Sequence, residues 1–175
     1  MICISTLIVQ YSFGQKDIDI YKNEDYIVWG SRELCWEDFR GPKLSNDFNA
    51  GTYGGLSYYI NKYNTVYWFA FFSKDKSWHN AETENGLEHE KYHFNIVEIH
   101  ARKLRKAIIE KKLSINYVVT LNKKINEIWA ECESMQSAYD QETTHSRNSK
   151  KQSDWERKIN RELETLINYK SNITK

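Results

Sequence analysis

The sequence predicts an α+β fold in which N-terminal antiparallel strands are followed by three helices. Two aromatic-rich runs with strand composition lie in the first half of the chain, whereas helical periodicity starts near residue 85 and returns twice. Strands and helices grouped in this order are typical of α+β proteins. At 175 residues the chain is long enough for one domain with a sizeable core.

The first fifteen residues form an apolar run that closes on small residues before a charged segment. This composition is typical of the end of a secretory signal peptide, although a basic start is missing and an ordinary first strand is the alternative. We favour the signal peptide, which leaves residues 16–175 as a single domain of a secreted or periplasmic protein. No other apolar stretch of the sequence is long enough to span a bilayer.

The strand predictions begin with a short strand at residues 25–29. Residues 52–60 and 66–72 are separated by a short polar segment and predict a hairpin. The second of these runs is apolar on both faces, so we expect a central strand covered by the next helix. Residues 73–84 read as a polar connection, in which His79 is a possible metal ligand without a spacing argument.

The chain's most specific motif is His89-Glu90-x-x-His93, inside a helix predicted from about Asn85 to about Lys112. Histidines four residues apart project from one face of a helix and can share a metal ion. Glu90 lies about 100° round from His89, beside the metal, where a carboxylate can act as general base. The motif is a zinc-hydrolase signature, and the alternative is a solvated helix with two chance histidines.

A catalytic zinc site needs a third protein ligand and leaves its fourth position for water. Glu98 lies about 140° round from His93 and is expected to pair with Arg102, on the solvent side of the helix. His100 lies about 10 Å further along the helix and is expected to be a core histidine or a group that supports a ligand. The third ligand should then come from elsewhere in the chain, and His145 is the best remaining candidate.

Two further helices are predicted from apolar stripes with helical spacing. The positions are Leu121, Ile125, Ile128, Trp129, Cys132, Met135 and Tyr139 in the first stripe, and Trp155, Ile159, Leu163, Leu166 and Ile167 in the second.

Charge and cysteine content narrow the class of protein. The formal net charge is +1 with mixed signs throughout, which gives no indication of a nucleic-acid partner. After removal of a signal peptide, Cys35 and Cys132 would remain, and a disulfide between them and two free thiols are equally compatible with the sequence.

The chain resembles a bacterial family called domain of unknown function 922, whose members are often described as secreted zinc-dependent proteases. The residues that carry the resemblance are Leu87-Glu88-His89-Glu90, His93-Phe94, Glu98-Ile99, Ala101 to Lys106, Tyr139-Asp140-x-Glu142-Thr143-x-His145-Ser146, Gln152 and Trp155, with Trp29, Arg32, Leu34, Trp36, Asp38-Phe39, Gly41, Thr52 and Ser77-Trp78 in the N-terminal half.

The resemblance implies a zincin-like metallopeptidase domain with zinc on the two motif histidines, and it supports His145 as third ligand. We hypothesise that Glu90 is the general base and that Tyr139 donates to the developing oxyanion, although Tyr139 can equally be a core residue. Asp140 or Glu142 could orient a ligand histidine. The expected partner is a peptide or protein substrate.

Two other functions stay open at this point. One is a non-catalytic envelope protein that holds zinc for structure or uses the fold as a binding module, for which a fourth protein ligand would be evidence. The other is hydrolysis of an amide bond outside proteins. Substrate specificity and oligomeric state are beyond the sequence.

Overall fold

The structure is a computed structural model, and it describes residues 23–44, 48–63, 65–112 and 118–171. The predicted signal peptide, residues 1–15, lies outside the described residues.

Five short strands form two antiparallel sheets, and the sequence predicted three of the five. A three-stranded sheet has the order β1-β4-β3, and a two-stranded sheet pairs β2 with β5. The strands are β1 (Tyr26–Val28), β2 (Ala50–Gly51), β3 (Gly54–Ile60), β4 (Val66–Ser73) and β5 (Trp78–His79). The prediction missed β2 and β5, because each has only two residues, in segments predicted as polar loops, and two residues carry no period-2 pattern.

The hairpin of β3 and β4 is confirmed, and β4 is the central strand as expected. Its register pairs Gly54 with Phe72 and Ile60 with Val66. Phe72 is fully buried and meets the ring of Phe94 on the next helix, with centroids 6.0 Å apart. The sheet therefore packs one apolar face of β4 against that helix, as expected.

The motif helix, α1, spans Glu84–Glu110. Thr83 caps its first turn, since the Thr83 hydroxyl accepts a hydrogen bond from the Gly86 N–H at 3.1 Å. The predicted bounds were correct to within about two residues. Arg102 was predicted to face solvent, and this prediction was wrong: the residue is only 2% exposed. The C-terminal part of the chain covers this face of α1, and the Leu163 carbonyl accepts a hydrogen bond from Arg102 Nη1 at 2.5 Å.

Two more helices complete the α+β order, so the prediction of antiparallel strands followed by three helices is confirmed. Helix α2 spans Val118–Thr143 and helix α3 spans Ser149–Thr165, and short 3-10 turns lie at Trp36–Asp38 and Ile167–Tyr169. Both helices pack on α1, so α1 lies between the sheet and the other two helices.

Three smaller expectations are settled by the fold. Cys35 is exposed, Cys132 is buried, and both thiols are free, so no disulfide joins them. His100 is a core histidine, 1% exposed, and its Nδ1 hydrogen-bonds the Ile96 carbonyl at 2.8 Å. Among the described residues, none of the helices is long and apolar enough to cross a membrane.

Candidate metal centre

The two motif histidines are brought together on the buried side of α1. Their Nε2 atoms lie 3.1 Å apart, and the rings meet edge to face with centroids 4.7 Å apart. His89 is 3% exposed, so its imidazole is almost completely removed from solvent. The i, i+4 spacing produces this juxtaposition directly, as the sequence predicted.

A third donor atom comes from α2. The Asp140 carboxylate places Oδ1 3.1 Å from Nε2 of His89 and 2.9 Å from Nε2 of His93. The sequence suggested Asp140 as a group that orients a ligand histidine through its other N–H. The structure instead puts Asp140 on the same side as the two Nε2 atoms, within the donor set itself.

Two glutamines take the place expected for the orienting groups. Gln152 is 6% exposed, and its Oε1 lies 3.0 Å from Nδ1 of His89. Its amide nitrogen donates to the Tyr139 hydroxyl at 2.5 Å and to a carboxylate oxygen of Glu156 at 3.1 Å. Because a carboxylate needs a donor, the Gln152 oxygen faces His89, and Nδ1 of His89 carries the hydrogen.

Gln136 fixes His93 in the same way. Its amide nitrogen donates to the His93 backbone carbonyl at 3.0 Å, and its oxygen makes a short hydrogen bond with Nδ1 of His93. The carbonyl of His93 can only accept, so Nδ1 of His93 carries a hydrogen as well. Neutral His89 and His93 would both direct an Nε2 lone pair at the same point.

Electrostatics at this point favour a positive charge. His89 Nε2, His93 Nε2 and Asp140 Oδ1 are three electron-pair donors separated by 2.9–3.1 Å. Burial alone would lower the pKa of His93, but Asp140 outweighs it and raises the pKa to about 9. Burial would raise the pKa of Asp140, but His93, His145 and His89 hold it well below its usual range.

A zinc ion fits this donor set. The proton on His93 satisfies one pair of donors, whereas a divalent cation can satisfy all three together. Ligands of a tetrahedral zinc, with bonds of about 2.0–2.1 Å, lie about 3.3 Å from one another, close to the separations in this cluster. The nitrogen and oxygen donors are also of the types that zinc binds.

His145 reaches the cluster through a strained turn at the end of α2. Thr144, His145 and Ser146 have φ values of 52°, 50° and 69°, which are left-handed and cost about 1–2 kcal/mol each in residues other than glycine. The His145 N–H donates to the Asp140 carbonyl at 3.0 Å, which folds the chain back over the helix end. Strain of this kind is concentrated at functional sites.

The turn places His145 at the outer edge of the donor set. Its Nδ1 lies 3.3 Å from Asp140 Oδ1, and its side chain is 36% exposed. Three donor atoms, one each from His89, Asp140 and His145, lie within 4.8 Å of one another. The ring of Phe48 covers His145 with centroids 4.3 Å apart. His145 therefore lies beside the set formed by His89, His93 and Asp140, in contact with Asp140.

Glu90 faces the cavity into which this cluster opens. The cavity has a volume of about 330 Å³ and lies between β2, α1 and α2. Glu90 is 5% exposed, and its Oε2 is buried without a hydrogen-bond partner among the described residues. It lines the same cavity as His89, His93 and Asp140, and its charge contributes to the raised pKa of His93. A buried, unpartnered carboxylate oxygen is costly and calls for a function.

Tyr139 lies behind His89 and does not line the cavity. Its ring stacks on the His89 ring with centroids 4.5 Å apart, and its hydroxyl lies 3.4 Å from the His89 carbonyl. Burial raises the pKa of this phenol, so it stays protonated. The Tyr139 ring therefore packs against the His89 ring on the side away from the cavity. A role of Tyr139 as oxyanion donor stays a prediction.

Two other groups considered as ligands lie elsewhere. His79 packs against the ring of Trp36 with centroids 5.0 Å apart. Glu98 is 1% exposed and accepts from Arg102 at 2.9 Å and from Arg105 at 2.7 Å. The expected pairing of Glu98 with Arg102 is thus confirmed, and Glu98 belongs to a buried ion cluster.

A comparison with protein families adds one match. The profile of the family described as "Bacterial protein of unknown function (DUF922)" matches residues 72–146. This span is under half of the chain, and it contains the motif helix together with Asp140 and His145. Gln152 lies outside the DUF922 match. No curated protein and no solved structure matches the chain.

Sequence reasoning missed the roles of three residues at the centre: Asp140 as a donor and Gln136 and Gln152 as orienting groups. A signal for two of them was present. Gln136 and Asp140 are four residues apart, so on the predicted α2 they share a face one turn apart. Nothing in the local sequence indicates Gln152, because its contact with His89 depends on how α3 packs on α1.

Proposed function

We propose that this chain is a zinc-dependent hydrolase that cleaves peptide bonds. The observation that carries the proposal is the convergence of His89 Nε2, His93 Nε2 and Asp140 Oδ1 within 3.1 Å, next to the unpartnered carboxylate oxygen of Glu90. His89, His93 and Asp140 would hold the ion, and His145 would be the fourth, more exposed donor.

The chemistry is divided between the ion and Glu90. A zinc ion in such a site lowers the pKa of water and polarises a carbonyl group. Glu90 would take a proton at Oε2 from water in the cavity and pass it to the leaving nitrogen. Gln136 and Gln152 keep both imidazoles in the tautomer that leaves Nε2 free. The buried setting of Glu90 strengthens its electrostatic interactions with reacting groups.

The test compares Glu90→Gln with Glu88→Gln in zinc-loaded protein. Glu88 lies on the same helix but forms an ion pair with Lys91 at 2.7 Å and does not line the cavity. With dye-labelled denatured casein as substrate, Glu90→Gln should lose about 10²–10⁴-fold in rate while keeping its zinc. Glu88→Gln should cleave like the unmodified chain. Full activity in zinc-bound Glu90→Gln would refute the general-base role.

A non-catalytic zinc site is the second candidate, and the fourth donor favours it. Structural zinc sites fill all four positions with protein ligands, and His145 would have to join His89, His93 and Asp140 on the ion to supply the fourth. X-ray absorption spectroscopy of the zinc-bound chain separates the two. Four protein ligands without an oxygen from water would favour the structural site, which gives Glu90 no task.

A further inference from the structure

The cavity extends from the metal centre along α2 to a second polar pair, Trp129 and Glu133. Glu133 is seven residues before Asp140, which places it about two turns, or about 10 Å, along the helix axis. Both residues lie on the stripe of α2 that faces the cavity, together with Gln136 and Asp140. A peptide held at the metal centre would therefore extend past them.

Trp129 holds the Glu133 carboxylate in place. The indole Nε1 donates to Glu133 Oε1 at 2.9 Å. The Trp129 ring packs against the hydrophobic core, so it is anchored from behind. A carboxylate fixed at the edge of an indole combines the two features that bind organic cations, a charge-assisted hydrogen-bond acceptor and an aromatic face.

The charges of the cavity favour a cation as well. In the zinc-loaded chain the two positive charges of the ion would offset the carboxylates of Asp140 and Glu90, so Glu133 would keep its negative charge in a described lining that contains neither lysine nor arginine. Glu133 has no ion-pair partner among the described residues. Its neighbour Glu131, on the same helix, lies 3.7 Å from Lys103. Glu133 is thus a solvent-exposed carboxylate without a cationic partner at the open edge of the cavity.

We propose that Trp129 and Glu133 form a specificity subsite that binds the cationic side chain of a lysine or arginine in the substrate. This inference rests on the proposed peptide hydrolase, since it assigns the substrate class of the same cavity. The ammonium or guanidinium group would approach the second oxygen of Glu133, and the aliphatic part of the side chain would lie along the indole.

The test is a binding measurement, so that it does not depend on catalysis. Zinc-loaded Glu90→Gln protein is titrated against dye-labelled alanine octapeptides that carry one lysine, leucine or glutamate at the fourth position, with fluorescence polarisation as the readout. Glu133→Gln and Glu133→Lys are added to this background, with Glu131→Gln as the matched control. Circular dichroism confirms that each variant is folded.

The lysine peptide should bind about tenfold more tightly than the leucine peptide, with a preference that falls as salt is added. Glu133→Gln should abolish the preference, Glu133→Lys should transfer it to the glutamate peptide, and Glu131→Gln should leave it unchanged. Equal binding of the three peptides, absence of binding, or a lysine preference that survives Glu133→Gln would overturn the proposal.

Failure of this inference and failure of the proposed function give different results. If the unmodified chain cleaves casein but Glu133→Gln does not alter peptide preference, the subsite is wrong and the hydrolase stands. If the lysine preference depends on Glu133 but zinc-loaded protein cleaves nothing, the subsite stands as a binding site and the hydrolase is wrong.

Discussion

Asp140→Asn should weaken zinc binding much more than His145→Ala. Asp140 Oδ1 lies within 3.1 Å of both imidazole Nε2 atoms, and its side chain is 15% exposed. His145 contacts the cluster only through Asp140, at 3.3 Å, and is 36% exposed. Asparagine keeps the shape of the side chain but removes the charge that the cation needs.

The size of the effect follows from known losses at metal sites. Removing a group that only orients a ligand costs about 10–100-fold in metal affinity, so loss of the charged donor should cost at least about 100-fold, or about 2.7 kcal/mol. His145→Ala should cost about tenfold or less. Competition with a chromophoric zinc chelator at fixed pH measures both values.

The control is Asp154→Asn, which changes an aspartate on α3 that pairs with Arg157 outside the metal-centre cavity. It should bind zinc like the unmodified chain. If His145→Ala loses zinc while folded Asp140→Asn keeps it, our ranking is wrong. Asp140 would then orient His145, which would be the third ligand.

Three further predictions concern the supporting structure. Gln152→Leu should weaken zinc binding about 10–100-fold in the chelator assay, because Nδ1 of His89 loses its acceptor; unchanged affinity would contradict the orienting role. Glu98→Leu should lower the free energy of unfolding in urea by about 3 kcal/mol or more, because it leaves the buried Arg102 guanidinium without its carboxylate, and a change below about 1 kcal/mol would refute this. In the folded protein, iodoacetamide should modify the exposed Cys35 and spare the buried Cys132, since burial raises the pKa of the Cys132 thiol. Peptide mapping by mass spectrometry measures both, and modification of Cys132 in the folded protein would contradict its burial.

Local patterns were sufficient for the three helices, for the longer strands and for the two motif histidines of the metal centre. The strands at β3 and β4 and the helix α1 follow from residue type and period, and His89 and His93 meet because four residues make about one helical turn. These are properties of single elements. They do not depend on how the elements pack.

The rest of the centre depends on contacts between elements. Asp140 belongs to the donor set because α2 packs against α1 at one particular height, and Gln152 reaches His89 from α3. His145 returns to the cluster through three left-handed residues without a glycine to indicate the turn. Arg102 is buried for a similar reason, since the chain beyond Leu163 covers a helix face that is polar in sequence.

The most direct test of the central claim is elemental analysis of the purified chain after incubation with zinc and removal of the excess. We expect about one zinc per chain, lost in folded His89→Ala and His93→Ala variants, with His100→Ala as the control that keeps it. His100 is a buried histidine of the same helix that hydrogen-bonds the Ile96 carbonyl outside the cluster. A chain without bound zinc, or a chain that keeps its zinc after both motif histidines are replaced, would show that His89 and His93 do not form a zinc site.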